Sequence, residues 1–209
     1  MWSALVRLVL LCGISAVLGI AATRVVEPSA TQPTEVTVVL DFKGAYSDES
    51  LGEMKREVAS IMKGAGFAFD WRLRADTGQD AFSSLILVNL TGDCLIDLSR
   101  EIPNDPGPLA FAHTSGANVL RFADVHCNAV SHLVRSATNG RENGNLLLGK
   151  ALGRVLAHEF CHILANRFGH SEDGILKPTF SGRQLVAKRF DIDPADLDRL
   201  RFRRSRSEY

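Results

Sequence analysis

The chain has 209 residues, with 24 Lys+Arg against 24 Asp+Glu and 45% hydrophobic residues. A balance this even gives no global reason to expect nucleic acid or an anionic membrane as a partner. The length suffices for one domain with a proper core.

Residues 1–22 read as a secretory signal peptide. Arg7 supplies the positive end, Leu8–Ile20 is an uncharged, largely apolar core, and Gly19-Ile20-Ala21 offers a small-residue exit. The competing reading is an uncleaved anchor, because Ala4–Ala22 is nearly long enough to span a bilayer. Removing residues 1–21 takes away Arg7 alone among charged residues, which leaves 23 Lys+Arg against 24 Asp+Glu. Residues 23–34, with Pro28 and Pro33, read as a linker, and residues 35–209 as the domain.

Glu35–Phe42 is β-rich and mostly apolar, a first strand. Ser47-Asp48-Glu49-Ser50 can cap a helix whose Leu51, Met54, Val58, Ile61 and Met62 recur at helical spacing until Gly64 and Gly66 stop it. Phe67–Leu73 alternates like a half-buried strand, in which Phe69 and Trp71 are packing residues, and Phe82–Leu90 is a third strand. Gly92–Pro108 is loop-like. Asn128–Thr138 forms a short helix ahead of the turn signals Asn139-Gly140 and Asn143-Gly144. His113, His126 and His132 stand singly and read as structural residues.

The run from Leu146 to Phe168 holds no proline and reads as one helix, apolar around more than half its circumference and therefore buried. Within it lies His158-Glu159-Phe160-Cys161-His162, an H-E-x-x-H motif. Two histidines four apart project from one helical face, so both can reach a single cation. Imidazole nitrogens suit Zn²⁺, and catalytic sites add a third protein ligand and keep a position for water. Glu159 lies about 100° round the helix, where its carboxylate can accept a proton instead of ligating. Chance would place such a motif in roughly 0.8% of chains of this composition. The bland alternative is a core helix with two hydrogen-bonded histidines. It requires His-Glu-His to be buried together with no cation to justify the cost.

With those residues in view, the stretch Ala157–Pro178 resembles the zinc metallopeptidases called zincins, and among them the metzincins, especially matrixins. Their helix continues H-E-x-x-H-x-x-G-x-x-H, followed by Ser and a turn containing Met. Here Ala165 stands at the glycine position and Phe168 at the third-histidine position, and His170-Ser171 arrives two residues late. Leu176 stands where the turn methionine would be. In this pattern the chain must reverse after the helix; Gly169 can adopt the positive φ of that reversal, and His170 follows it directly. Glu172 and Asp173 compete with His170 as the third ligand, since a His₂-carboxylate site is chemically acceptable. The segment Gly107–Phe122 resembles the edge strand that matrixins run along their cleft; the plain reading is a hairpin at the sheet's rim.

Three cysteines follow the signal, and three pairings are formally open. Cys94 and Cys127 sit in loop-like contexts and form the favoured bridge, while Cys161 serves as a small apolar residue inside the helix. Beyond Pro178, Ser181 starts a helix through Phe190 and Pro194 starts another near Ala195–Arg201. Arg199, Arg201, Arg203, Arg204 and Arg206 form a basic end that reads as a solvated tail.

The resemblance implies an α+β, zincin-like fold: a mixed sheet, a central H-E-x-x-H helix and a small helical C-terminal subdomain. It further implies a secreted or periplasmic zinc metalloendopeptidase, with His158, His162 and His170 as ligands of Zn²⁺ and Glu159 as the catalytic base. The expected partner is a peptide or protein substrate acting on a monomer, with no nucleic acid and no stable membrane insertion after signal cleavage. A catalytically inactive exported zincin-fold binding protein is the alternative.

Overall fold

The computed structural model describes residues 32–101, 107–139 and 143–207. The signal reading, at residues 1–22, lies outside the described residues, as does the linker up to Thr31. No helix among the described residues is long and apolar enough to cross a membrane.

Strand β1 (Thr34–Phe42) leads to helix α1 (Asp48–Met62), whose cap is Ser47: its hydroxyl accepts from the Ser50 N–H at 3.1 Å. The chain returns as β2 (Phe67–Leu73), parallel to β1, with α1 as the crossover. Strand β3 (Leu85–Thr91) pairs with the other side of β1. Then β4 (Ala110–Ser115) and β5 (Asn118–His126) form a hairpin around Gly116. The sheet order is β2-β1-β3-β5-β4, and only β4, at the edge, runs antiparallel to its neighbour.

Four helices follow: α2 (Cys127–Thr138), α3 (Gly144–Ala165), the single turn α4 (Gly182–Leu185) and α5 (Pro194–Ser207). Period-two alternation buries one face of the sheet, including Val36, Val38, Leu40, Ile86, Val88, Leu90, Ala123 and Val125. Met54, Val58 and Met62 of α1 and Leu148, Leu152, Leu156 and Phe160 of α3 complete that core. Phe69 and Trp71 pack on Phe160, with ring centroids 5.3 and 6.3 Å away.

Several boundaries differ from the expected ones. Residues 82–84 precede β3 instead of belonging to it, and α5 runs on to Ser207. Helix α4 stops at Leu185 and does not reach Phe190. The cause is Arg154, a guanidinium only 1% exposed. It takes the carbonyls of Gln184, Leu185 and Ala187 at 2.7, 3.1 and 2.7 Å, oxygens that a longer helix would use internally. The Cys94–Cys127 bridge is present, tying the loop after β3 to the start of α2, and Cys161 is a buried free thiol.

Candidate metal centre

Helix α3 is apolar nearly all round because it lies between the sheet and the C-terminal segments, and it buries every residue from Ala151 to Ile163. His158 and His162, one turn apart, emerge near its end. The helix stops at Ala165, because Asn166 takes the left-handed conformation (φ 47°). Its side-chain oxygen accepts from the Val119 N–H at 2.7 Å, which pins the reversal to β5. The turn expected at Gly169 is therefore made three residues earlier, and Gly169 is not among the positive-φ glycines. That early stop makes the length between His162 and His170 a reversing loop and not more helix.

His170 comes back over the two helical histidines. One ligand-capable nitrogen from each of His158, His162 and His170 lies within 4.8 Å of the others. Neither Glu172 nor Asp173 joins that group. His158 and His162 are buried, whereas His170 is exposed on the lip.

Hydrogen bonding decides which ring nitrogens are free. A carbonyl oxygen can only accept, so His158 Nδ1–H donates to Ile175 O at 2.6 Å and His162 Nδ1–H donates to Arg167 O at 2.6 Å. In neutral rings the lone pairs are then on Nε2, and those two atoms face each other at 3.0 Å. Burial pushes the His158 pKa down to about 4 and lowers that of His162, so a proton shared between the rings is disfavoured at neutral pH. Two opposed lone pairs with a third imidazole beside them fit a cation of the imidazole-binding class.

Burial also raises the Glu159 pKa to about 7, against a smaller opposing effect of the Ala112 N–H. Glu159 Oε1 is 4.0 Å from His158 Nε2. The pair lies where two cavities meet. One, of about 310 Å³, is lined by Leu133, Val155 and Phe180; the other, of about 320 Å³, by Ala112, Thr114, Phe168 and His170. Both are walled by Pro108 and Ala110 on one side and Pro178 on the other. The rim segment 110–115 is an edge strand, and it borders the cleft.

Three residues that hold this arrangement carry no motif. Arg167 gives its carbonyl to His162, and its side chain donates to the His170 carbonyl at 3.2 Å and to the buried carboxylate of Asp196. Asp196 also accepts from the Ser171 hydroxyl at 2.7 Å, so α5 braces the His170 loop. Arg154 joins α3 to Glu57 of α1 at 2.7 Å and lies 4.8 Å from the Phe190 ring, while Phe180 meets His158 edge-on at 5.6 Å. A lone arginine in an apolar helical run was the available signal for Arg154. Arg167 and Asp196, 29 residues apart, offered none. The turn at Gly174-Ile175-Leu176 lies under the histidines through backbone atoms: Ile175 O takes His158, and Leu176 O takes the Ser171 N–H at 2.8 Å. His113, by contrast, bonds Asp124 at 2.7 Å and stacks on Phe122.

The sheet is five-stranded and mostly parallel, with its antiparallel edge strand beside the cleft. No family model matches the sequence, and no curated protein does. Among solved structures the chain is similar to archaemetzincin from Methanopyrus kandleri, with a TM-score of 0.52 and 12% identity over 86% of this chain and 99% of that one. At that identity the likeness carries the fold.

Proposed function

We propose that this protein is an exported zinc-dependent metallopeptidase that hydrolyses peptide bonds. The observation that carries the reading is the meeting of three imidazoles and Glu159 in a cleft bordered by an edge strand. His158, His162 and His170 hold the ion, and the Ile175 and Arg167 carbonyls fix the tautomers of the first two. Zn²⁺ bound there supplies Lewis acidity toward a carbonyl oxygen and a water.

The remaining work falls to the chain. Strand β4 offers main-chain N–H and C=O groups to an extended peptide. Glu159, on the wall shared by both cavities, takes a proton from the attacking water on its carboxylate oxygen and delivers it to the leaving amine nitrogen. Leu133, Val155 and Phe180 give the cavity beside Glu159 an apolar wall. The Cys94–Cys127 bridge supports an oxidising compartment.

The test is Glu159→Gln. The amide keeps the size of the side chain but cannot take the proton, so turnover should fall about 10²- to 10⁴-fold with zinc still bound. Near-full turnover in the variant would refute the assigned role. A zinc-loaded parent with no activity on peptide libraries would mark an inactive binding protein instead.

A further inference from the structure

A second cavity, of about 170 Å³, lies away from the cleft at the end of the sheet where the parallel strands begin. Its lining includes Arg121 of β5, Arg203 and Arg204 of α5, and Ser83 and Ser84 ahead of β3. No residue lining it also lines the two cavities at the histidines. Among the described residues, no Asp or Glu lines it and none of the three arginines forms an ion pair. Seven other arginines, Arg56, Arg72, Arg100, Arg154, Arg167, Arg199 and Arg201, do have carboxylate partners, while Arg74, Arg135, Arg183, Arg189 and Arg206 have none among the described residues.

The arginines are also placed. Arg121 Nη1 donates to Ser84 Oγ at 2.9 Å, and the Ser84 carbonyl is held by the Thr37 N–H at 2.8 Å. Arg204 Nη1 donates to the Gln32 carbonyl at 3.2 Å. Its guanidinium lies against Gly66, where φ is 78° and a Cβ would come within 2.9 Å of Arg204 Cζ. The Nε of Arg204 is buried and has no hydrogen-bond partner among the described residues.

We propose that this cavity binds a phosphate-class oxyanion. Three guanidinium groups call for a compact anion with several oxygen acceptors, which a phosphate group presents whether free or esterified. The planar donor fork of arginine matches phosphate oxygens, and the serine hydroxyls add donors. The oxyanion can be free phosphate or the headgroup of an anionic lipid. Both present the same chemistry to the cavity.

The experiment uses the mature protein, Arg121→Gln and Arg203→Gln. Both arginines are exposed, and only Arg121 makes a side-chain hydrogen bond, so both variants should fold. Inorganic phosphate is titrated by calorimetry against chloride at constant ionic strength, and vesicles of phosphatidylglycerol are compared with phosphatidylcholine by sedimentation. Saturable phosphate binding that weakens about tenfold or more in each variant supports the site with free phosphate as the source. Binding confined to phosphatidylglycerol, and weakened likewise in both variants, supports the site with a lipid headgroup as the source. Binding to neither, equal response to chloride, or an affinity unchanged by both substitutions overturns the proposal.

Discussion

Glu159 and His158 are neighbours whose burial acts in opposite directions on pH-dependent stability. His158 has its folded pKa depressed to about 4, so its contribution is present above its ordinary 6.5 and is lost as pH falls through about 4. Glu159 has its folded pKa raised to about 7, so its contribution is present below its ordinary 4.5 and is lost as pH rises through about 7. In the metal-free protein the two nearly cancel between pH 7.5 and 4.5. Glu159→Gln removes one side of that balance. Acidification over this window should therefore cost the metal-free variant about 3 kcal/mol more than the parent, read from urea unfolding in the presence of chelator. Equal pH slopes would mean that Glu159 is not held in its protonated form by burial.

Asp196 is the other residue with a consequence for the site. Buried at 3% exposure, it gathers Arg167, Ser171 and Arg199 on one carboxylate. Replacing it by Ala frees the loop that carries His170 and releases the arginine whose carbonyl orients His162. Zinc affinity should fall about 10- to 100-fold in a chelator competition run well below the unfolding midpoint. An affinity like the parent's would show that the loop is held without α5.

Helix α3 packs closely on α1 through its glycines. Gly153 faces α1, where a Cβ would come 2.7 Å from Glu57 Cβ and 2.8 Å from Met54 O. Because one of those atoms is backbone, the helices must separate to admit a methyl group. Glu57 is also the partner of Arg154, so the strain reaches the buried guanidinium. Gly153→Ala should destabilise by about 1–3 kcal/mol despite the better helix propensity of alanine. A midpoint at or above the parent's in thermal unfolding would show that the two helices part cheaply.

Whole-molecule stability draws on the bridge between Cys94 and Cys127, 33 residues apart in sequence. It fastens the long connection before β4 to the first turn of α2, and Ser50 of α1 donates to the Cys94 carbonyl at 2.8 Å. Replacing both cysteines by Ala should cost about 3–4 kcal/mol as an upper estimate from loop entropy, measured by chemical unfolding. Cys161, fully enclosed in α3, should alkylate only on unfolding in either protein.

What the sequence by itself determined is the set of features that depend on neighbours a few residues apart. The β-rich, mostly apolar run at 35–42 and the alternation at 67–73 are properties of strands. The Ser47 cap needs only the next turn, and His158 and His162 share a face because a helix repeats every 3.6 residues. Cys94–Cys127 was favoured because both lie in loop contexts while Cys161 does not. The tertiary structure alone decided where His170 comes to rest, because that depends on Asn166 meeting Val119 and on Asp196 meeting Arg167 and Ser171. It also decided that α4 ends early, since Arg154 reaches the carbonyls at 184–187 from 30 or more residues away. Arg203 and Arg204 read as part of a basic tail, and Arg121 carries no signal of its own in the sequence. Only packing α5 across the start of the strands sets them around one cavity with no carboxylate among its described lining residues, because local sequence carries no record of which distant charges will meet.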